Sequence, residues 1–244
     1  MNIINANIDN LISLWKIAGV SHESFFTQEK FDYCFIDNSD WPNRLWFNQS
    51  IDNELITLVK EKISSISVSI TIAYWDTGRN SSFIELESQG FIKLFEQVGM
   101  SLKLDKQLNI ESDLDLHLVS NKSEANTWAK LFEKSFGYKI LSDTIIKTIS
   151  EIDYYIAYSQ NTAVGTAISY KTNDIMGIHS VGIPPEMRRK GYAKQIMKLL
   201  INDANKKGCE YMTLQASDMG KSLYLNLGFE EQFIIKNYSL TNKP

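Results

Sequence analysis

Cysteine is scarce in this chain. Two occur in 244 residues, Cys34 and Cys209, far apart and in no metal-ligating spacing. A disulfide framework and a metal site are therefore not expected, and a reducing compartment fits better. Excess positive charge is also missing. Lys and Arg number 25 against 29 Asp and Glu, for a net charge of −4, which argues against a general nucleic-acid binder. No stretch approaches the roughly 18 uninterrupted apolar residues of a membrane span. The start, MNIINANIDNLISLW, has no basic region and reaches Asp9 before any long apolar run, unlike a signal peptide. A soluble cytoplasmic protein is expected, with no membrane or nucleic-acid partner. The chain is 43% hydrophobic and 22% charged, enough for one large domain or two of about 100–150 residues.

Two familiar phosphate-binding patterns are absent as well. GKS at 220–222 looks like the end of a Walker loop, but that motif needs a glycine five residues before Gly220, where Gln215 stands. The dinucleotide fingerprint needs three glycines at a first strand–helix turn, and Arg188–Lys194 offers one. A nucleotide-phosphate protein of either type is disfavoured.

What is present is a patch. Residues 109–244 carry 16 Lys and Arg, and five of these (Arg188, Arg189, Lys190, Lys194, Lys198) fall within eleven residues. They sit in SVGIPPEMRRKGYAKQIM (180–197), where a strand-like run meets a loop and a helix. Ala193, Ile196, Met197, Leu200, Ile201 and Ala204 make a helical apolar stripe. Cations at a helix N-terminus are unfavourable by about 0.3–1 kcal/mol each. Three of them there imply a compensating anion, and the unpaired N–H groups of a helix start suit a phosphate. Gly191 removes a Cβ where the anion would approach the backbone, and arginine can hold two phosphate oxygens.

The rest of the second half interleaves strands and helices over about 130 residues. Strands are expected at 114–120, 154–159, 163–172, 175–183, 209–217 and 229–240. Helices are expected at 123–137 (capped by Ser123, closed by Gly137), 142–152 (capped by Ser142 or Asp143) and 220–228, besides the striped one. The first half reads less clearly, with helices over NIDNLISLWKIAG and DNELITLVKEKI and strands over RLWFNQ and SVSITIAYW. It contains one echo. Gly90-Phe91 precedes Ser101-Leu102 by the same distance that Gly228-Phe229 precedes Ser239-Leu240. The echo suggests that 1–108 is a diverged duplicate of 109–244, with DKQLNIESD (105–113) as linker.

RRKGYA (188–193) matches the (Q/R)-x-x-G-x-(G/A) loop of the GNAT superfamily of acyl-CoA-dependent N-acyltransferases. SLYLNLGF (222–229) resembles its recurring LY-x-x-LGF block, and the order of elements from 112 to 240 is similar. The resemblance implies an α/β fold with a mixed, mostly antiparallel central sheet flanked by helices, and acetyl-CoA as cosubstrate without a metal; with the Gly-Phe echo it suggests two such domains in tandem. It also implies roles. Main-chain groups of Val181, Gly182 and Ile183 would pair with the pantetheine arm, one N–H polarising the thioester carbonyl. The pyrophosphate would sit on N–H groups of Arg189, Lys190, Gly191, Tyr192, Ala193 and Lys194, with Arg188 at the first motif position. Ser217 stands near a family asparagine that contacts the cofactor, though the spacing to the tyrosine is one residue short. Tyr224 matches the acid that protonates the departing thiolate. Some members place a glutamate base where Gly177 stands, so the base is open, with His179 on the same strand face as one candidate and water as another. The implied reaction is acetyl transfer to a small-molecule or peptide amine by direct attack in a ternary complex. A catalytically weak acyl-CoA sensor or scaffold is the alternative. The first half lacks the loop motif and has Leu86 at the position of Tyr224. It is expected to shape the acceptor pocket or support the catalytic half; the aromatic and acidic residues of DYCFIDNSDWPNRLWF (32–47) are candidates to line a pocket for an amine, with core packing as the alternative.

Overall fold

The computed structural model describes residues 1–78, 81–110 and 112–240; Glu111 of the expected linker lies outside them. Helix α1 (Ile3–Val20) starts at Asn2, whose side chain accepts the Asn5 N–H. It buries Asn7, Asn10, Leu11, Leu14, Trp15 and Ala18 along one face. Strands β1 (Phe25–Thr27), β2 (Phe31–Cys34) and β3 (Arg44–Phe47) follow. Helix α2 (Asn53–Ser64), capped by Asp52, buries Leu55, Ile56, Val59 and Ile63. Strand β4 (Thr71–Asp76), the short α3 (Phe83–Ser88) and the long β5 (Phe91–Lys103) close the first half.

The second half runs β6 (Leu114–Leu118), α4 (Lys122–Phe136), α5 (Ser142–Thr148), β7 (Asp153–Ser159), β8 (Thr162–Thr172), β9 (Ile175–Gly182), α6 (Tyr192–Lys206), β10 (Tyr211–Ala216), α7 (Asp218–Asn226) and β11 (Glu230–Leu240). The order is the expected one, but two caps differ. Asn121, not Ser123, caps α4 and accepts the Glu124 N–H at 3.1 Å. Starting there puts Glu124 in the first turn, where its carboxylate takes the Ser120 N–H at 2.7 Å. Helix α5 follows Leu141 and has no side-chain cap. Gly137 ends α4 in the left-handed region, as its position suggested.

Among the described residues the strands form one sheet, ordered β1-β2-β3-β4-β11-β5-β10-β9-β8-β7-β6. Outward from the central β11–β5 pair, the two sides repeat each other. β4 flanks β11 antiparallel as β10 flanks β5. β3–β4 and β9–β10 are parallel. β2–β3 and β1–β2 are antiparallel, as are β8–β9 and β7–β8. The helices α2 and α6 make the two parallel crossovers. The last strand of each half is exchanged: β5 lies beside β10 and β11 beside β4. Three apolar clusters hold the layers together. One joins α1 to α4, through Leu14, Trp15, Trp128 and Phe132. A second gathers α6, β8–β10 and Met100 of β5. The third gathers α2, β2–β4, Phe91 of β5 and Tyr238 of β11. Burying Ile196, Met197, Leu200 and Ile201 on α6 contributes about 1.5–3 kcal/mol per side chain.

Candidate active site

Strand β9 changes character at Ser180. Ile168 stands opposite His179 but Thr166 stands opposite Gly182, so Ser180 and Val181 bulge against Ala167. Ser180 takes φ +54, a left-handed conformation that costs a non-glycine residue on the order of 1–3 kcal/mol. Thr166 Oγ1 holds the bulge by donating to the Ser180 carbonyl at 3.0 Å. On its other edge β9 pairs with β10 from Ile175 to Gly177. Beyond that, the edge of His179–Gly182 facing β10 has no strand partner among the described residues. A slot therefore opens between two strands that are neighbours lower down.

The chain then turns through Pro185–Met187 into the basic loop. Arg189 (φ +64) and Gly191 (φ +79) are both left-handed. A Cβ on Gly191 would meet nothing within 4 Å, so the backbone angle demands the glycine and the space beside it is open. Helix α6 begins at Tyr192 with no side-chain cap and no acid in its first turn. Its first intrahelical bond runs from the Gln195 N–H to the Gly191 carbonyl, which leaves the amides of Tyr192, Ala193 and Lys194 without helical partners. Arg188 has another task. Its Nε donates to the Ile183 carbonyl and its Nη2 to the Ser135 carbonyl, both at 3.0 Å, bracing the end of α4 against the end of β9. Lys190 and Lys194 are exposed, and the Tyr192 hydroxyl reaches Ser159 at 3.5 Å.

A cleft of about 1500 Å³ opens next to the slot. His179, Val181, Ser217 and Tyr224 all line it, while the basic loop lies outside its lining. Tyr224 rests edge-on against Phe229, with ring centroids 5.8 Å apart. Burial pushes its phenol up to about 12, so it stays protonated near neutral pH and can donate. Ser217 begins α7, and its hydroxyl makes no capping bond.

His179 is held rather than free. Its Nε2 lies 3.1 Å from Asn10 Oδ1 and its Nδ1 3.1 Å from Gln215 Oε1. The two amides are fixed in turn. Asn10 Nδ2 donates to the Tyr170 carbonyl. Gln215 Nε2 donates to Asn7 Oδ1, and Asn7 Nδ2 donates to the Met100 carbonyl. Both ring nitrogens thus face oxygens, a setting that suits an imidazolium, since a neutral ring donates through one nitrogen. Burial works the other way and pushes the ring down to about 4. With no carboxylate against it, burial decides, and the resting ring is neutral. The structure also shows why glycine occupies position 177. A Cβ there would run into the Asn10 amide and come within 2.7 Å of His179 Nε2. The left-handed Ser180 breaks the strict alternation expected along β9, yet His179 and Val181 still reach the same cleft.

The sequence model of the Acetyltransferase (GNAT) family matches residues 124–229. Those residues form a GNAT acetyltransferase domain. The match runs from α4 to the start of β11, so the slot, the loop and Tyr224 all belong to the GNAT domain, and acyl transfer is its general chemistry. Similar solved structures extend over both halves. A GCN5-related N-acetyltransferase from Kribbella flavida has TM-score 0.71 at 12% identity, covering 96% of this chain and 95% of that one. One from Sphaerobacter thermophilus has TM-score 0.66 at 15% identity, covering 86% and 76%. A functionally unknown conserved protein from Staphylococcus epidermidis has TM-score 0.65 at 14% identity, covering 90% and 94%. At these identities the likeness concerns fold. No curated protein matches the chain. Among the described residues, no helix is long and apolar enough to cross a membrane.

Several residues at the site escaped the sequence reading. Asn7 and Asn10 come from α1, 169 residues before the histidine that Asn10 touches. A signal existed, because both fall on the apolar stripe of Leu11, Leu14 and Ala18, where an amide calls for a buried partner. Arg44, Trp15 and Trp41 also line the cleft. Trp41 belongs to the aromatic and acidic stretch 32–47 that the sequence offered as pocket lining; nothing local marks Trp15 or Arg44.

Proposed function

We propose that the protein transfers an acetyl group from acetyl-CoA to a primary amine, by direct attack of the amine in a ternary complex. The observation that carries this reading is one continuous path. The glycine loop and open start of α6 lead to the unpaired β9 edge, and that edge leads to the cleft holding Tyr224. The α6 amides would hold the pyrophosphate with Arg189 and Lys190 nearby. The Val181–Ile183 backbone would take the pantetheine arm like an added strand. Tyr224 would give its proton to the departing thiolate. His179 would receive the amine proton, through water if needed, because protonation turns both of its nitrogens into donors toward Asn10 and Gln215. The halves 1–108 and 109–244 would be two copies of one unit, the first having lost the loop: β3 and α2 are joined through Asp52, an acid where the second half has cations. The decisive experiment measures acetyl-CoA consumption over a panel of amines, amino acids, polyamines, aminoglycosides and peptides, with a thermal shift by acetyl-CoA as the binding control. Absence of any shift at high concentration would sink the cosubstrate claim.

One observation favours the alternative of an acyl-CoA sensor. Position 177 carries no carboxylate, and His179 is enclosed by two amides. A thermal shift with acetyl-CoA but no turnover on any amine would select that reading.

A further inference from the structure

The cleft contains a cation that the transfer chemistry above does not use. Arg44 begins β3 and lines the cleft wall contributed by the first half. Its Nη1 donates to the carbonyl of neighbouring Asn43 at 3.3 Å, and its guanidinium lies over the Trp15 ring at 5.8 Å. Its Nε is shut off from solvent and has no hydrogen-bond partner among the described residues. No carboxylate there lies within ion-pair distance. Several of the other charges on these walls are engaged. Lys93 pairs with Glu96 at 2.7 Å and Lys221 with Glu231 at 2.8 Å. Asp40 Oδ2 accepts the Lys139 N–H at 2.7 Å. A guanidinium sunk in a wall without a counter-charge is costly and calls for an explanation. The planar fork of arginine matches the two oxygens of a carboxylate, the commonest anionic group on amine metabolites and peptides.

We propose that Arg44 receives a carboxylate of the acceptor, so that the acceptor is an amine that also carries a carboxylate several bonds away. The separation follows from α1. Asn10 touches His179 and Trp15 touches Arg44, and five residues of helix place them about 7.5 Å apart along its axis. Apolar surface surrounds the anionic end. Phe136 and Tyr138 line the cleft and remain 39% and 37% exposed, ready to cover the carbon chain between the two groups. This inference rests on the acetyl-transfer reading, and the test separates the two.

The test compares acceptors in pairs that differ by one charge: 4-aminobutyrate against 4-aminobutyramide, and glycyl-phenylalanine against its C-terminal amide. In wild type the acid of at least one pair should exceed its amide at least tenfold in kcat/KM, mainly through KM. Arg44→Gln should bring that ratio close to one, and Arg44→Lys should keep part of it, with the acetyl-CoA thermal shift unchanged in both. Should Arg44→Gln fail to fold, wild type alone answers. The acid should raise its melting temperature in the presence of CoA while the amide does not. Equal turnover of acid and amide in both pairs, or a ratio that survives Arg44→Gln, overturns the Arg44 assignment while leaving acetyl transfer intact. Loss of the acetyl-CoA shift in wild type overturns the underlying reading instead.

Discussion

Gly177→Ala should be far more damaging than a one-carbon change on a strand suggests. The new methyl would occupy the place of the Asn10 amide, so Asn10 must leave. It would abandon its bonds to the Tyr170 carbonyl at 3.0 Å, Thr172 Oγ1 at 2.9 Å and His179 Nε2 at 3.1 Å. Each is worth about 0.5–1.5 kcal/mol net, so the loss is about 1.5–4.5 kcal/mol. For a chain of this size each kcal/mol lowers the melting temperature by about 2–4 °C, a total fall of roughly 3–18 °C. Scanning calorimetry or thermal CD measures it. The cause is then isolated with Asn10→Gly. That change alone also destabilises, but Gly177→Ala added to it should cost much less than in wild type, because the Asn10 obstacle is gone and only the 2.7 Å approach to His179 Nε2 remains. Strict additivity of the two changes, or a Gly177→Ala melting point within 1 °C of wild type, would refute the reasoning. A glutamate at 177 meets the same obstacle. Restoring the base used by some relatives should therefore lower stability without raising turnover.

Four further outcomes are expected. Tyr224→Phe should lower turnover about 100-fold while acetyl-CoA affinity, read by calorimetry, stays within twofold. The His179 pKa of about 4 lies below its ordinary 6.5, so the unfolded chain binds the extra proton first as pH falls. Stability conferred by the neutral ring is full above pH 6.5 and is lost toward pH 4, by up to about 3 kcal/mol. Denaturant melts of wild type should show that slope, and those of His179→Gln a flatter one. Gly191→Ala forces a left-handed alanine, at about 1–2 kcal/mol, and should weaken acetyl-CoA binding more than it lowers stability in the apo form. Residues 109–244 expressed alone lose β5, which covers β10 and supplies Met100 to the core; aggregation or ANS binding should reveal the uncovered edge, and a stable monomeric fragment would contradict it.

The second half was legible in its sequence because its signals are local. The stripe on α6 and the glycines at 137 and 191 each constrain the nearest few residues, and the structure keeps all of them. The cleft was legible on one side alone. Tyr224, Ser217, Val181 and His179 lie within 46 residues and line one cleft. Asn7, Asn10 and Arg44 reach the same place because β5 and α1 cross into the second half's layers, and a long-range crossing leaves no pattern in neighbouring residues. The caps of α4 and α5 were misplaced for a related reason: Asn121, Ser123 and Ser142 are equivalent by propensity, and the Glu124–Ser120 contact decides among the first two.

The central strand pair shows how the halves are related and why the site needs both. Phe91 pairs with Leu240 and Glu230 with Ser101, so each strand runs past the other in mirrored register. The pairing slips twice, skipping Gln232 in β11 and Leu94 in β5. Gln232 lies three residues after Phe229, and Leu94 lies three after Phe91. The two slips thus fall at matching offsets from matching Gly-Phe pairs, a two-fold pattern about the β5–β11 pair that supports the proposed duplication. Exchange of these strands brings Gln97 and Met100 against the Gln215–Asn7 chain that anchors His179. On the proposed duplication, the first half would have kept the framework and lost the phosphate loop. Its helix α1 fixes the histidine, and on the Arg44 proposal its strand β3 would offer a cation to the acceptor.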